Sequence, residues 1–267
     1  MKVVLAHKFY RPVGGTEEFV RQIESLLGAH GHEVVPFAMA HPDNWASEYA
    51  DYFVPEIDYR ADLHGTARIR RAVAASTRLI YWREARRRFA ALLDEVRPDV
   101  VHVQNIAHQI SPSILYAAAE RRIPVVMTVN DFKLVCPTSG MINGRSGAVC
   151  SKCFGGRYWN VVRDRCHDRS LAGSLLLGVE MTIHHRVLRV YERHVRLFLA
   201  ENQTRRQTLE AGGIPPDRIR VLTQPFDAGP YEPQPFDGRR FLFFGRLDPD
   251  KGVDMLIQAA AAAQVER

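Results

Sequence analysis

The chain is predicted to adopt an α/β fold, a Rossmann-like parallel sheet with helices on both faces. Three observations carry that prediction. Short apolar runs of strand length alternate with longer segments whose apolar residues recur at helical spacing, as in Val3–Ala6 followed by Phe19, Val20, Ile23, Leu26 and Leu27. A glycine-bearing turn links strand to helix near both ends of the chain, at Gly14-Gly15 and at Gly245–Gly252. The composition, 267 residues with 46% hydrophobic and 25% charged, is ample for a buried core and excludes disorder as the dominant state. No tandem repeat at solenoid periods competes with this assignment.

Taken in order, Val3–Ala6 is the first strand, and a helix begins near Thr16, which is placed to cap it. Glu33–Phe37 is the second strand, after the His30-Gly31-His32 stop. A long connection with Trp45, Tyr49, Tyr52 and Phe53 leads to a basic amphipathic helix, Arg68 to Phe89. Asp99–Val103 follows Pro98 as a strand, Ile110–Glu120 is a helix, and Pro124–Val129 is a strand. Residues 130–170 lose periodicity and hold all four cysteines, and helical spacing returns from Leu171 to about Tyr191. Val195–Ala200 is a strand, Gln203–Glu210 a helix and Ile219–Leu222 a strand. Thr223–Arg239, with four prolines and two glycines, is a linker or long surface connection. Beyond it, FLFFGRLDPDKGVDMLIQAAAAA restarts the pattern as strand, turn and helix. The domains expected are residues 1–225, a linker at 226–239, and residues 240–267 as the truncated start of a second Rossmann-like domain.

Charge and hydropathy narrow the function classes. Lys plus Arg number 36 against 30 Asp plus Glu, for a net charge of +6, and arginine dominates, the lysines being Lys2, Lys8, Lys133, Lys152 and Lys251. Arginine favours bidentate grips on phosphate and carboxylate. The basic helix fits either a solvated helix beside the sheet or a surface lying on anionic lipid. Nucleic acid is not an expected partner, because neither a recognition motif nor an aromatic platform accompanies the charge. No apolar run approaches the roughly 18 residues of a membrane span, and the N-terminus reads as a strand rather than a signal peptide. The expected location is cytoplasmic, with peripheral contact at the inner membrane face.

Three motifs could carry chemistry. In Pro12-Val13-Gly14-Gly15-Thr16-Glu17, two glycines at a helix start admit close approach of an anion to unpaired N–H groups; a plain turn is the competing reading. In Gly245–Gly252, Arg246 and Lys251 are placed to grip a diphosphate, or are ordinary surface cations. Cys136, Cys150, Cys153 and Cys166 have spacings that let the Cys150-x-x-Cys153 pair share one metal with the flanking two. A structural zinc, an iron–sulfur cluster and free thiols all remain open there. Polar residues at strand ends, His7, Asn105, His108, Asn130 and Asp131, with His102 inside DVVHVQN, would converge over one edge of a parallel sheet. His184 and His185 are expected to be structural or surface residues.

Taken together, PVGGTE, HGHEVVPF, RPDVVHVQN, IPVVMTVNDFKLVCP, AGGIPPDRIRVLTQPFD and GRLDPDKGVDMLIQA, in that order, resemble the N-terminal part of a family 4 retaining glycosyltransferase of the two-domain GT-B type. The cysteine loop is similar to one found in a subset of that family. The resemblance implies a hexosyltransferase-type enzyme that uses a nucleotide-diphosphate sugar and a glycan or lipid-linked acceptor, in cell-surface polysaccharide or glycolipid synthesis, with no catalytic metal. It implies catalytic roles for Asn130, Asp131 and His102, and donor-phosphate contacts from Gly14, Gly15, Arg246 and Lys251. Asn130 stands where the family often has histidine, and asparagine cannot act as a base. The family's glutamate pair in the C-terminal domain lies beyond this sequence, so the chain is expected to be a fragment. The alternative is a non-catalytic ligand- or membrane-binding protein that retains only the acceptor domain.

Overall fold

The computed structural model describes residues 1–56, 78–229, 231–232, 235, 238, 241–245, 247 and 251–263. The chain divides into two compact units, Met1–Phe226 and Asp227–Arg267.

The first unit is built on a parallel sheet. Its elements in chain order are β1 (Lys2–Ala6), α1 (Gly15–Ala29), β2 (Glu33–Phe37), β3 (Met39–Ala40), β4 (Val54–Pro55), α2 (Arg83–Val96), β5 (Val100–Val103), α3 (Ile114–Glu120) and β6 (Val125–Val129). They continue with α4 (Trp159–Arg163), α5 (Leu171–Thr182), α6 (Val190–His194), β7 (Leu197–Ala200), α7 (Gln203–Gly212) and β8 (Ile219–Val221). Six strands lie in the order β2-β1-β5-β6-β7-β8, and β3 pairs separately with β4. Every pairing in the large sheet is parallel, with Leu5 opposite His102 and Val103 opposite Met127. From β1 the chain moves outward to β2, then returns to the other side of β1 as β5. The connections leaving β1 and β5 therefore diverge, which opens a crevice at the carboxyl ends of these two strands.

Strand alternation divides the core between two faces. Leu5 points to one, where it packs with Phe19, Val20 and Ile23 of α1. Val4, Ala6, Val101 and Val103 point to the other, against Phe89, Leu92 and Leu93 of α2 and Ile114 and Leu115 of α3. Glu17 and Glu18 occupy the first turn of α1, where the helix dipole favours acids. The helix stops at His30, and Gly31 takes a left-handed φ of 75°. No described helix is long and apolar enough to cross a membrane.

Several expected boundaries moved. The N-cap of α1 is Gly14, without a side-chain cap, so Thr16 does not cap it. Ile110–Glu120 is helical only from Ile114, because Ser111 has a φ of 76° and precedes Pro112, which disfavours helix at that position. Of the predicted basic helix, residues 68–77 lie outside the described residues. Tyr81 and Trp82 interrupt its path, and a new helix starts at Arg83. Leu171–Tyr191 is not one helix: Ile183–Val187 forms a π turn, and Arg189 adopts a φ of 52° before α6. Buried polar side chains on this segment make contacts with distant elements that hydrophobic spacing cannot reveal.

The second unit contains α8 (Val253–Ala262), preceded by Gly252 in left-handed conformation. None of this helix's residues is buried. Among the described residues, Phe241–Phe244 pairs with no strand, and Phe241, Leu242 and Phe244 are exposed.

Candidate active site at the carboxyl edge of the sheet

The crevice between β1 and β5 is furnished first by His7, the residue after β1. His7 is 2% exposed, and its Nε2 lies 3.0 Å from Glu17 Oε1 in the first turn of α1. Burial lowers the His7 pKa and outweighs the opposing pull of Glu17, so the ring is neutral at pH 7 and donates Nε2–H to the carboxylate. Burial alone would raise Glu17, but the hydrogen bond from His7 leads the effects that leave its pKa lowered. Nδ1 of His7 is a buried acceptor with no partner. This pair locks the start of α1 to the end of β1. Gly15 opens the helix, and a Cβ placed there would meet nothing within 4 Å. Open space therefore adjoins Gly15, while the Glu17 carboxylate lies near Gly14 at the same helix start.

The second group stands at the ends of β5 and β6. Gln104 is fully buried, and Asn130 Nδ2 donates weakly to its Oε1 at 3.5 Å. Gln104 Nε2 and Asn130 Oδ1 are buried without partners. Asp131 Oδ1 accepts from the Lys133 backbone N–H at 2.8 Å, which shapes the turn after β6. Lys133 then buries its ammonium, donating to the Pro137 carbonyl at 2.9 Å and to Glu180 Oε2 at 2.8 Å. His108 Nε2 is 3.4 Å from the same carboxylate oxygen, and His184 Nδ1 is 3.9 Å from Oε1. Burial would raise Glu180, but the hydrogen bond from His108 and the charge of Lys133 hold its pKa down to about 2. A cavity of about 20 Å³ lies among Gln104, Asn105, Asn130, Asp131 and Lys133.

The structure thus brings Gly14, Gly15, Asn130 and Asp131 to one edge of the sheet. It does not bring His102 there. His102 lies within β5, where Nε2 is 2.7 Å from Thr128 Oγ1 on β6, and burial lowers its pKa to about 4. Lys251 belongs to the second unit, exposed beside the cap of α8, and Arg246 lies outside the described residues. The His184 Nε2–H donates to the Ile80 carbonyl at 2.8 Å, and His185 stacks on Tyr191, so of the two expected roles, structural or surface, both histidines take the structural one. Cys136, Cys150, Cys153 and Cys166 all line one cavity and none is disulfide-bonded. Among the described residues no three His, Cys, Asp or Glu side chains form a ready metal cage, so the expected zinc site is not preformed.

Sequence reasoning missed Glu17, Gln104, Lys133 and Glu180. Glu17 has the look of an ordinary first-turn acid. Glu180 carried a usable signal, a lone carboxylate in the apolar run LLLGVEMTI. A larger cavity, about 430 Å³, shares Leu134 and Tyr191 with the small one and is lined also by Arg186, Arg189 and Arg218. Those guanidinium groups are engaged by the Gly155 carbonyl, by Glu192, and by the Glu192 and Val195 carbonyls, respectively. These contacts use part of the five N–H donors of each guanidinium, and of the three it is Arg189 that faces a carboxylate.

The family model described as Glycosyltransferase Family 4 matches residues 13–229, which include Gly14, Gly15 and Glu17 at the start of α1 and the group at the ends of β5 and β6. The chain belongs to glycosyltransferase family 4. Comparison with curated protein sequences finds no match. Among solved structures, this family 4 chain is similar to Anabaena HepE in complex with UDP and glucose, at 16% identity and a TM-score of 0.49, over 98% of this chain and 58% of that one. It is similar to MurG of Acinetobacter baumannii at 12% identity and a TM-score of 0.38, over 86% and 48%. It is also similar to UDP-N-acetylglucosamine 2-epimerase of Rickettsia bellii at 13% identity and a TM-score of 0.39, over 84% and 45%. The chain spans about half the length of these proteins.

Proposed function

We propose that the first unit is the acceptor-side domain of a retaining glycosyltransferase. The transferred sugar comes from a nucleoside-diphosphate sugar and goes to a hydroxyl of a glycan or lipid-linked acceptor, in cell-surface polysaccharide or glycolipid synthesis at the cytoplasmic face of a membrane. The observation that carries this reading is the convergence at the sheet's switch point. There the open helix start at Gly15 and the unpartnered buried polar atoms of His7, Gln104 and Asn130 stand at the carboxyl ends of β1, β5 and β6.

In this reading the N–H groups after Gly14 face the donor phosphate, and Arg246 and Lys251 neutralise the diphosphate as the glycosidic bond breaks. Asn130 presents an amide to a sugar hydroxyl and cannot take its proton. The departing phosphate oxygen accepts that proton as the acceptor oxygen bonds to the same face of the sugar carbon, so configuration is retained. Asp131 holds the turn on which Asn130 sits. His102, neutral and bonded to Thr128, acts by keeping β5 and β6 in register.

Peripheral membrane contact belongs to the same proposal. The described part of the arginine-rich segment supports it little, since Arg86 pairs with Glu120, and Arg87 and Arg88 pair with Glu84. Exposed Leu171, Leu175 and Val179, one face of α5, with exposed Trp159 beside α5, support it better.

The test is calorimetric titration of the full-length protein with UDP- and GDP-hexoses, together with transfer of labelled sugar to a membrane lipid extract. Saturable binding of one donor, with label moved into lipid or glycan, is expected. Binding without transfer would favour the non-catalytic alternative. Neither binding nor transfer across the common donors would overturn the proposal.

A further inference from the structure

The four thiols meet where the chain has least regular structure. Cys136 ends the turn after β6, its N–H donating to the Phe132 carbonyl at 2.8 Å. Cys150 and Cys153 flank a tight turn closed by the Phe154 N–H on the Ser151 carbonyl at 3.0 Å, and Cys166 follows α4. All four border a single cavity of about 20 Å³ whose other walls include Val135, Ile142, Phe154 and Val161.

Each sulfur also has a polar group beside it. The Val161 backbone N–H serves Cys153, and the Gly144 backbone N–H serves Cys166. Asn143 Nδ2 points at Cys150 Sγ from 3.9 Å, and Thr138 Oγ1 lies 3.5 Å from Cys136 Sγ. A neutral thiol is a weak acceptor, whereas a thiolate gains from every donor aimed at it. The backbone is shaped to make one of these contacts. A Cβ on Gly144 would stand 2.5 Å from the Arg165 carbonyl oxygen and 2.6 Å from Cys166 Cα, so only glycine brings this N–H against the sulfur. Four thiols gathered round one apolar pocket lose their protons together only when a cation sits among them.

We propose that Cys136, Cys150, Cys153 and Cys166 are the ligands of one thiophilic divalent ion, zinc by class, held tetrahedrally by four thiolates. The cavity decides between an ion and a cluster: about 20 Å³ accommodates a single water-sized body. A cluster of several irons and sulfides is several-fold larger. The sulfurs ring the cavity without forming a ready cage, and ion binding closes them to sulfur–metal distances of about 2.3 Å, with loss of their protons. All four positions are then filled, which makes the ion structural. It ties residues 136–166 to the turn bearing Asp131 and Lys133, because the Phe132 N–H donates to the Ser139 carbonyl at 3.2 Å within that same turn. This site is independent of the transfer reading and stands or falls apart from it.

The test begins with the full chain, purified from cells given no added metal and assayed for zinc, iron and labile sulfide. Thiols are counted with a disulfide reagent before and after displacement of the metal by unfolding in guanidinium with a chelator. One zinc per chain is expected, with all four thiols silent until displacement. Exchange with cobalt should give thiolate-to-metal charge-transfer absorption. Gly144→Ala, which keeps every cysteine, should weaken metal affinity by about 10- to 100-fold, as loss of an outer hydrogen bond does. Folded chain with much less than one zinc and four freely reactive thiols would overturn the proposal. So would iron with sulfide, or a mass showing disulfides. Cysteine variants that fail to fold leave the outcome intact, since the metal content of the unaltered chain decides it.

Discussion

Replacing Glu180 by glutamine tests how the candidate site is anchored. The carboxylate is 1% exposed and faces three basic groups, Lys133 at 2.8 Å, His108 at 3.4 Å and His184 at 3.9 Å. Its pKa is held at about 2. At about 1.36 kcal/mol per pH unit, a drop from the ordinary range near 4.4 corresponds to roughly 3 kcal/mol of stability at pH 7. Removing one partner of a buried pair costs about 3–5 kcal/mol by a separate route, because the other charge stays buried and unpaired. Glu180→Gln should therefore lose about 3 kcal/mol in urea unfolding at pH 7. A depressed carboxyl contributes fully above its unfolded pKa and loses that contribution as pH falls toward the folded value. The gap between wild type and variant should accordingly narrow to roughly 1.5 kcal/mol at pH 3. Adding Lys133→Met to Glu180→Gln should recover part of the loss, since no unpaired ammonium remains. A gap below about 1 kcal/mol at pH 7 would refute the argument, as would a gap that stays constant from pH 5 to pH 3.

Gly15→Ala should leave the melting temperature unchanged, since its Cβ meets open space, yet weaken nucleotide-sugar binding measured by calorimetry. Equal affinity would remove Gly15 from the donor site. The His102 ring should titrate near pH 4 by NMR, and His102 should cost the fold stability as pH falls from about 6.5 toward 4, because the unfolded state takes up the proton first. A ring titrating near 6.5 would contradict the burial argument. Trp159→Ser combined with Leu175→Ser should reduce sedimentation with anionic vesicles several-fold without changing the far-ultraviolet dichroism, both side chains being exposed. Undiminished sedimentation would place membrane contact elsewhere.

The fold was legible because its signals are local. Val3–Ala6, Glu33–Phe37 and Pro124–Val129 are short apolar runs, and Phe19, Val20 and Ile23 lie on one helix face, so each segment announces its own geometry. The cysteines and the Gly14-Gly15 turn were legible for the same reason, as residue types at short spacing. The break after Thr182 was not. No proline or glycine marks it; His184 reaches the Ile80 carbonyl and Glu180 reaches Lys133, partners that sequence order separates widely.

Sequence by itself determined the alternation of strand and helix, the family, and the candidates grouped around Gly14, Asn130 and the cysteines. Tertiary structure alone decided the order β2-β1-β5-β6-β7-β8, and with it which strand ends face the crevice. It set His102 inside a strand, bonded to Thr128, and joined His7 to Glu17 across the start of a helix. It also gathered the four cysteines around one cavity. The physical reason is common to all of these. Periodicity records how a segment meets water and core, whereas a buried charge or an unpaired amide is resolved by whichever distant group the packing brings within hydrogen-bond reach.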